Sequence, residues 1–149
     1  MKIVVDTNII FSTLLNSNST IGDLLFNSEK HFEFYSCGYM RYEIQKHWER
    51  LKKISKLSDE QLQVSYTQVL SKLKFINEEI IPVEAWLASE QITKSIDIDD
   101  TDFVALTIFL KATLWTGDKA LYNGLKRLEF KKLLNTTELL ALRTTKSEK

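Results

Sequence analysis

Apolar positions along this chain switch between two rhythms. "KIVV" (residues 2–5), "FEFYS" (32–36) and "TLWT" (113–116) are short runs rich in β-branched and aromatic residues, and they predict strands. Between them the spacing lengthens to that of helices. "NIIFSTLLN" (8–16), "STIGDLLFNSE" (19–29, capped by Ser19 or Thr20), "EAWLASEQITKSI" (84–96) and "DKALYNGLKRL" (118–128) predict helices. In "YMRYEIQKHWERLKKI" (39–54), Met40, Ile44, Trp48 and Leu51 form one apolar stripe. "SDEQLQVSYTQVLSKL" (58–73) is the cleanest helix, with a capping-box pattern at Ser58 and Gln61 and one face lined by Leu62, Tyr66, Val69, Leu70 and Leu73. "KFINEEIIPV" (74–83) predicts a strand at its end, closed by Pro82. "DDTDFVALTIFLKA" (99–112) is apolar nearly all round past its first turn, so it predicts a deeply buried helix. "FKKLLNTTELLALR" (130–143) predicts a last short strand and a last short helix.

Short buried strands alternating with helices predict an α/β fold. The expected architecture is a three-layer α/β/α sandwich around a short-stranded, mostly parallel sheet joined by right-handed crossovers. A chain of 149 residues suits one domain, expected over residues 1–142 with a polar tail at 143–149. No apolar run is long enough to span a membrane, and the start turns charged too soon for a signal peptide, so a cytoplasmic protein is expected. Formal net charge is zero, which by itself favours no class of partner. The single cysteine, Cys37, has no internal disulfide partner.

In parallel sheets, ligands bind outside the carboxyl ends of the strands. The acidic residues concentrate there. Asp6 ends the first strand, Glu43 falls early in the helix after the second, and Asp118 follows "TLWTG". Asp97, Asp99, Asp100 and Asp102 crowd the start of the buried helix. Any one of these acids alone reads as a helix cap or a complement to the helix dipole. Together they would repel one another, and a hard divalent cation with oxygen ligands, Mg²⁺ or Mn²⁺, relieves that repulsion. Asp99 and Asp102 are three apart and would share a helical face, so Asp102 is expected to face the site, with Asp99 as helper and Asp100 turned away as a cap. Thr7, Asn8 and Thr116 can hold a carboxylate by hydrogen bonds, and Gly117 leaves room for a ligand. His31 and His47 read as surface or packing residues.

An all-carboxylate metal site without a nucleophilic Ser or Cys suits attack of activated water on a phosphodiester in RNA or DNA. Arg41 and Lys119 are the expected substrate contacts, with Lys46, Arg50, Lys52 and Lys53 further along the first of these helices and Lys126, Arg127, Lys131 and Lys132 in a second basic cluster. Without Asp6, Glu43, Asp102 and Asp118, the chain carries 20 basic against 16 acidic residues, which is mildly permissive for a polyanion.

"VVDTNII", "YEI", "DIDDTDFVAL" and "LWTGDKAL", in this order, resemble the PIN-domain family of metal-dependent ribonucleases over roughly residues 2 to 140. The resemblance matches the family's acids to Asp6, Glu43, Asp102 (with Asp99 upstream) and Asp118, and its hydroxyl residue to Thr116. It implies binding of Mg²⁺ or Mn²⁺ and cleavage of RNA. Many bacterial relatives are VapC-like toxins, so an antitoxin peptide and a homodimer are the implied partners; exposure of Trp48, Tyr66 or Phe75 would support the homodimer, though core packing is the expected use of these rings. A phosphatase of the haloacid-dehalogenase type would need an Asp where Asn8 stands, and a receiver domain would need an acidic pair near the first strand. The remaining alternative is a non-catalytic nucleic-acid- or protein-binding module that retains the acidic site.

Overall fold

The computed structural model describes residues 1–148. Five strands, β1 (Lys2–Val5), β2 (Glu33–Cys37), β3 (Leu73–Ile76), β4 (Thr113–Trp115) and β5 (Leu133–Leu134), form one parallel sheet in the order β3-β2-β1-β4-β5. Among the described residues, nine helices pack around it: α1 (Thr7–Leu15), α2 (Thr20–Asn27), α3 (Gly38–Lys46), α4 (Trp48–Ser55), α5 (Asp59–Leu70), α6 (Val83–Thr93), α7 (Thr101–Leu110), α8 (Lys119–Arg127) and α9 (Thr136–Ser147). This is the α/β fold that the alternation of short strands and helices predicts. No helix among the described residues is long and apolar enough to cross a membrane.

β1 runs through the middle of the sheet, and Ile3, Val4 and Val5 are fully buried. Each contributes roughly 1.5–3 kcal/mol by leaving water. The chain winds from β1 towards β3 on one side and towards β5 on the other. The strand order therefore reverses beside β1, and a crevice opens where the carboxyl ends of β1 and β4 part. Phe103, Val104, Ala105 and Leu106 of α7 are buried behind that crevice. The capping box at Ser58 and Gln61 is formed, and a second one joins Asn135 to Glu138.

Three local features depart from the expected pattern. The third strand lies at Leu73–Ile76, ahead of Pro82, because Asn77 caps a 3-10 turn at Glu78–Ile80 by accepting from the Glu79 N–H. The turn delivers Glu78 to the start of α3, where its carboxylate accepts from the Gly38 and Tyr39 N–H groups at 2.9 Å each. A Cβ at position 38 would stand 3.0 Å from that carboxylate, so glycine permits the approach. The expected helix over residues 39–54 is two helices, broken at His47 (φ −106°, ψ 15°). At the carboxyl end, α9 continues past Leu142 to Ser147, and Arg143 pairs with Asp23 at 2.7 Å and donates to Ser28.

Candidate metal centre

Asp6 is the innermost acid, 4 % exposed at the end of β1. It also caps α1: one oxygen accepts from the Ile9 N–H at 3.2 Å, and the other accepts from the Thr116 hydroxyl. Burial lifts its pKa to about 7 against those two hydrogen bonds, with further upward pressure from Asp118 and Glu43. Asp118 caps α8, accepting from the Ala120 and Leu121 N–H groups, while its own N–H donates to Thr116 Oγ1 at 3.0 Å. Thr116 thus ties the end of β4 to the end of β1. Glu43 comes from α3 and accepts from the Thr7 hydroxyl at 2.5 Å. Its pKa is raised, first by burial, with Asp99 and Asp97 adding to the effect.

The acids before α7 are arranged differently from the expected helical face. Residues 98–100 form a 3-10 turn, capped by Asp97, and the α-helix begins only at Thr101. That turn breaks the phase that would align Asp99 with Asp102. Asp100 occupies the cap position of α7, yet its side chain makes no capping bond. Its carboxyl belongs to the cluster instead: burial, then Asp97, Asp6, Asp118 and Glu43, push its pKa to about 8. Asp102, expected to face the site, meets Glu78 and Cys37. One ligand atom from each of these three residues lies within 4.8 Å of the others. No three of Asp6, Glu43, Asp99, Asp100 and Asp118 come that close among the described residues. In this structure the oxygens of Asp6, Glu43, Asp99 and Asp118 are engaged with Thr116, Thr7, Tyr39 and helix N–H groups.

A cavity of about 430 Å³ joins the members of the cluster. Asp6, Glu43, Asp97, Asp99, Asp100 and Asp118 line it, along with Thr7 and Asn8. Asp102 does not line it. Its far wall holds Phe11, Leu15, Leu51 and Ile54, together with His47 and Arg50. His47, expected at the surface or in packing, packs against the Phe11 ring at 5.7 Å and also lines the cavity, at the break between α3 and α4. The only signal for this in the chain is the four-residue spacing from Glu43. Lys119 lines a neighbouring cavity of about 410 Å³ that shares Asp118 and reaches Tyr122 and Asn135. Arg41 lies elsewhere, with its guanidinium 3.9 Å over the Phe75 ring. Trp48 and Tyr66 are buried and pack edge to face at 5.8 Å, so neither ring is offered to a second copy. Gly117 is not sterically demanded, since a Cβ there would meet only Ile9, at 3.7 Å.

The donor set fits a hard cation. It consists of carboxylates and hydroxyls, and two of the carboxyls are held near neutrality by burial and mutual repulsion, which a bound Mg²⁺ or Mn²⁺ would relieve. The thiol of Cys37 is pushed far up by burial, which argues against a thiolate ligand beside Asp102.

The structure resembles two solved proteins at low sequence identity. VapBC2 from Rickettsia felis, determined bound to a DNA fragment from its promoter, superposes with a TM-score of 0.67 at 20% identity, covering 91% of this chain and 98% of that one. PAE2754 from Pyrobaculum aerophilum superposes with a TM-score of 0.69 at 13% identity, covering 97% and 90%. No curated protein matches this chain in sequence. The PIN-domain family model matches residues 4–144, which takes in the end of β1, the other four strands and the whole acidic cavity. By that match the chain belongs to the PIN-domain family of nucleases.

Proposed function

We propose that the protein is a divalent-metal-dependent endoribonuclease, with Asp6, Glu43, Asp100 and Asp118 holding Mg²⁺ or Mn²⁺. One observation carries this reading: four separate segments deliver these acids to a single cavity at the switch point of a parallel sheet. When bound, such a cation makes water more acidic and stabilises charge on a phosphodiester. The chain's own residues supply the frame. Thr116 fixes the Asp6 carboxylate, and Thr7 fixes Glu43, as outer groups do for metal ligands. Asp99, hydrogen-bonded to the Tyr39 hydroxyl at 2.8 Å, and Asn8 stand ready to hold water on the same wall. Arg50 in the cavity and Lys119 beside Asp118 are placed to receive phosphate oxygens. Asp102 takes no part in this scheme.

We also infer that the protein acts as the toxin of a toxin–antitoxin pair. The likeness to VapBC2 supports this. So does the apolar wall of the cavity, where Leu15 is 40% and Ile54 is 52% exposed, as a place for a peptide beside the acids.

Calorimetric titration with Mn²⁺ and Mg²⁺, on the wild type and on Asp6→Asn combined with Asp118→Asn, tests the centre. Binding is expected in the wild type and lost in the double variant, together with Mn²⁺-dependent cleavage of RNA. RNA binding without cleavage at any metal concentration would favour the non-catalytic module instead.

A further inference from the structure

Beside the acidic cavity stands an aromatic pair that the reaction scheme does not use. Tyr39 and Tyr42, three apart on α3, lie parallel, with ring centroids 5.6 Å apart and planes 20° from one another. On its inner side Tyr39 packs against Phe103, which lines the cavity, at 6.2 Å. Its hydroxyl donates to Asp99, in the same cavity. The outer ring, Tyr42, is 56% exposed. A continuous aromatic line therefore runs from the core beneath the acids to a ring facing solvent. Tyr42 also precedes Glu43 directly in the chain.

An exposed tyrosine on its own is unremarkable in a folded protein. This one differs in three respects. It is already stacked on its inner side, so its outer face is rigid and costs little to order. It is anchored through Tyr39 to an acid of the candidate metal centre. Cationic side chains accompany it, with Lys46 one helical turn further along α3 and Arg50 in the cavity wall. A fixed π-face beside lysine and arginine is the arrangement that binds unpaired nucleotides. The base stacks on the ring and the phosphates meet the cations, whereas a base inside a duplex cannot present its face.

We propose that the outer face of Tyr42 is a stacking platform for an unpaired nucleobase of the substrate strand, beside the acidic cavity. This rests on the nuclease reading above. Tyr42 is a binding and positioning residue, with no part in proton transfer or metal ligation.

The test uses the full chain and a fluorescein-labelled, unstructured RNA oligonucleotide, alone or annealed into a duplex. Binding is read by anisotropy on an Asp6→Asn background, and cleavage is read with Mn²⁺ on the otherwise native protein. Tyr42→Ala is expected to weaken single-strand binding about tenfold and to raise KM by a similar factor with little change in kcat. Tyr42→Phe and Tyr42→Trp should keep affinity within about twofold, because the π-face is what matters. Mn²⁺ affinity should be the same in all three. Equal weakening on the duplex, or unchanged single-strand binding by Tyr42→Ala while the native protein cleaves RNA, would overturn the platform and leave the nuclease reading intact. Unchanged RNA binding with a changed sedimentation mass would reassign the ring to contact with a second copy. A native protein that neither binds nor cleaves any RNA would overturn both.

Discussion

Two groups of carboxyls stand near the start of α7, and they differ in what their oxygens do. Glu78 gives both oxygens to the first N–H groups of α3, and Asp102 shares a small space with it and Cys37. Asp6, Glu43, Asp100 and Asp118 are spread around an open cavity, and Asp100 gives up the capping bond its position offers. In the tighter group the fold satisfies both Glu78 oxygens, while burial and Glu78 raise the pKa of Asp102 to about 6. The looser group carries an electrostatic cost: burial and like charge raise the pKa of Asp6 to about 7 and that of Asp100 to about 8. Both groups hold acids against one another's charge; what sets the Asp6 group apart is the cavity between its members.

The largest expected effects belong to the acids themselves. Asp6→Asn should lower Mn²⁺-dependent RNA cleavage by at least about 100-fold, the upper end of what even an outer-shell change costs. Asp100→Asn should do nearly as much, whereas Asp102→Asn should stay within about tenfold of the native rate. The decisive measurement is single-turnover cleavage by the three variants side by side. An inactive Asp102→Asn beside an active Asp100→Asn would exchange the roles of the two groups.

The next effect is thermodynamic. An acid whose folded pKa is raised stabilises the fold fully below its unfolded pKa, near 3.8, and loses that contribution as pH rises through the folded value. For Asp6 and Asp100 the window runs from about pH 4 to about pH 8. Metal-free protein should therefore melt higher at pH 5 than at pH 8. Mn²⁺ should reverse the order, because it displaces those protons and binds more tightly at pH 8. At about one hundred times its Kd, the ion adds about 2.7 kcal/mol, a rise of roughly 5–10 °C in Tm. Scanning calorimetry at both pH values, with and without Mn²⁺, reads this. Asp102→Asn should leave the Mn²⁺-dependent shift in place, and its disappearance there would count against the comparison.

Much of this is legible in the chain itself. "KIVVD" could only be a buried strand ending on an acid, and "TLWTGD" repeats the device one strand away. Helical phase failed where tertiary contacts decide it. Nothing in "DIDDTD" says that residues 98–100 turn as a 3-10 segment, yet that turn decides whether Asp100 or Asp102 enters the cavity. Similarly, no Pro or Gly marks the break at His47, and an unbroken periodic stripe hid it. The third strand was displaced because Asn77 and Glu78 act through hydrogen bonds to a turn and to a distant helix, which hydrophobic spacing does not register.

Smaller effects sharpen the structural side of the contrast. Glu78→Ala removes the acceptor for two N–H groups at the head of α3 and should cost about 1–2 kcal/mol in denaturant unfolding. Its effect on Mn²⁺ affinity should be slight. The finest distinction concerns Cys37. If the thiol, Glu78 and Asp102 formed a metal site, Co²⁺ would bring a near-ultraviolet sulfur-to-metal charge-transfer band, and Cys37→Ala would abolish it. A thiol buried so that its pKa is pushed far above the ordinary range releases its proton only at high cost, and both Glu78 oxygens already accept backbone hydrogen bonds. The band should therefore be absent at pH 7.5, and Co²⁺ should bind native protein and Cys37→Ala alike, through oxygen ligands at the Asp6 cavity. A thiolate band in the native protein would mean that the tighter group also takes metal, and that the open cavity does not separate the two groups.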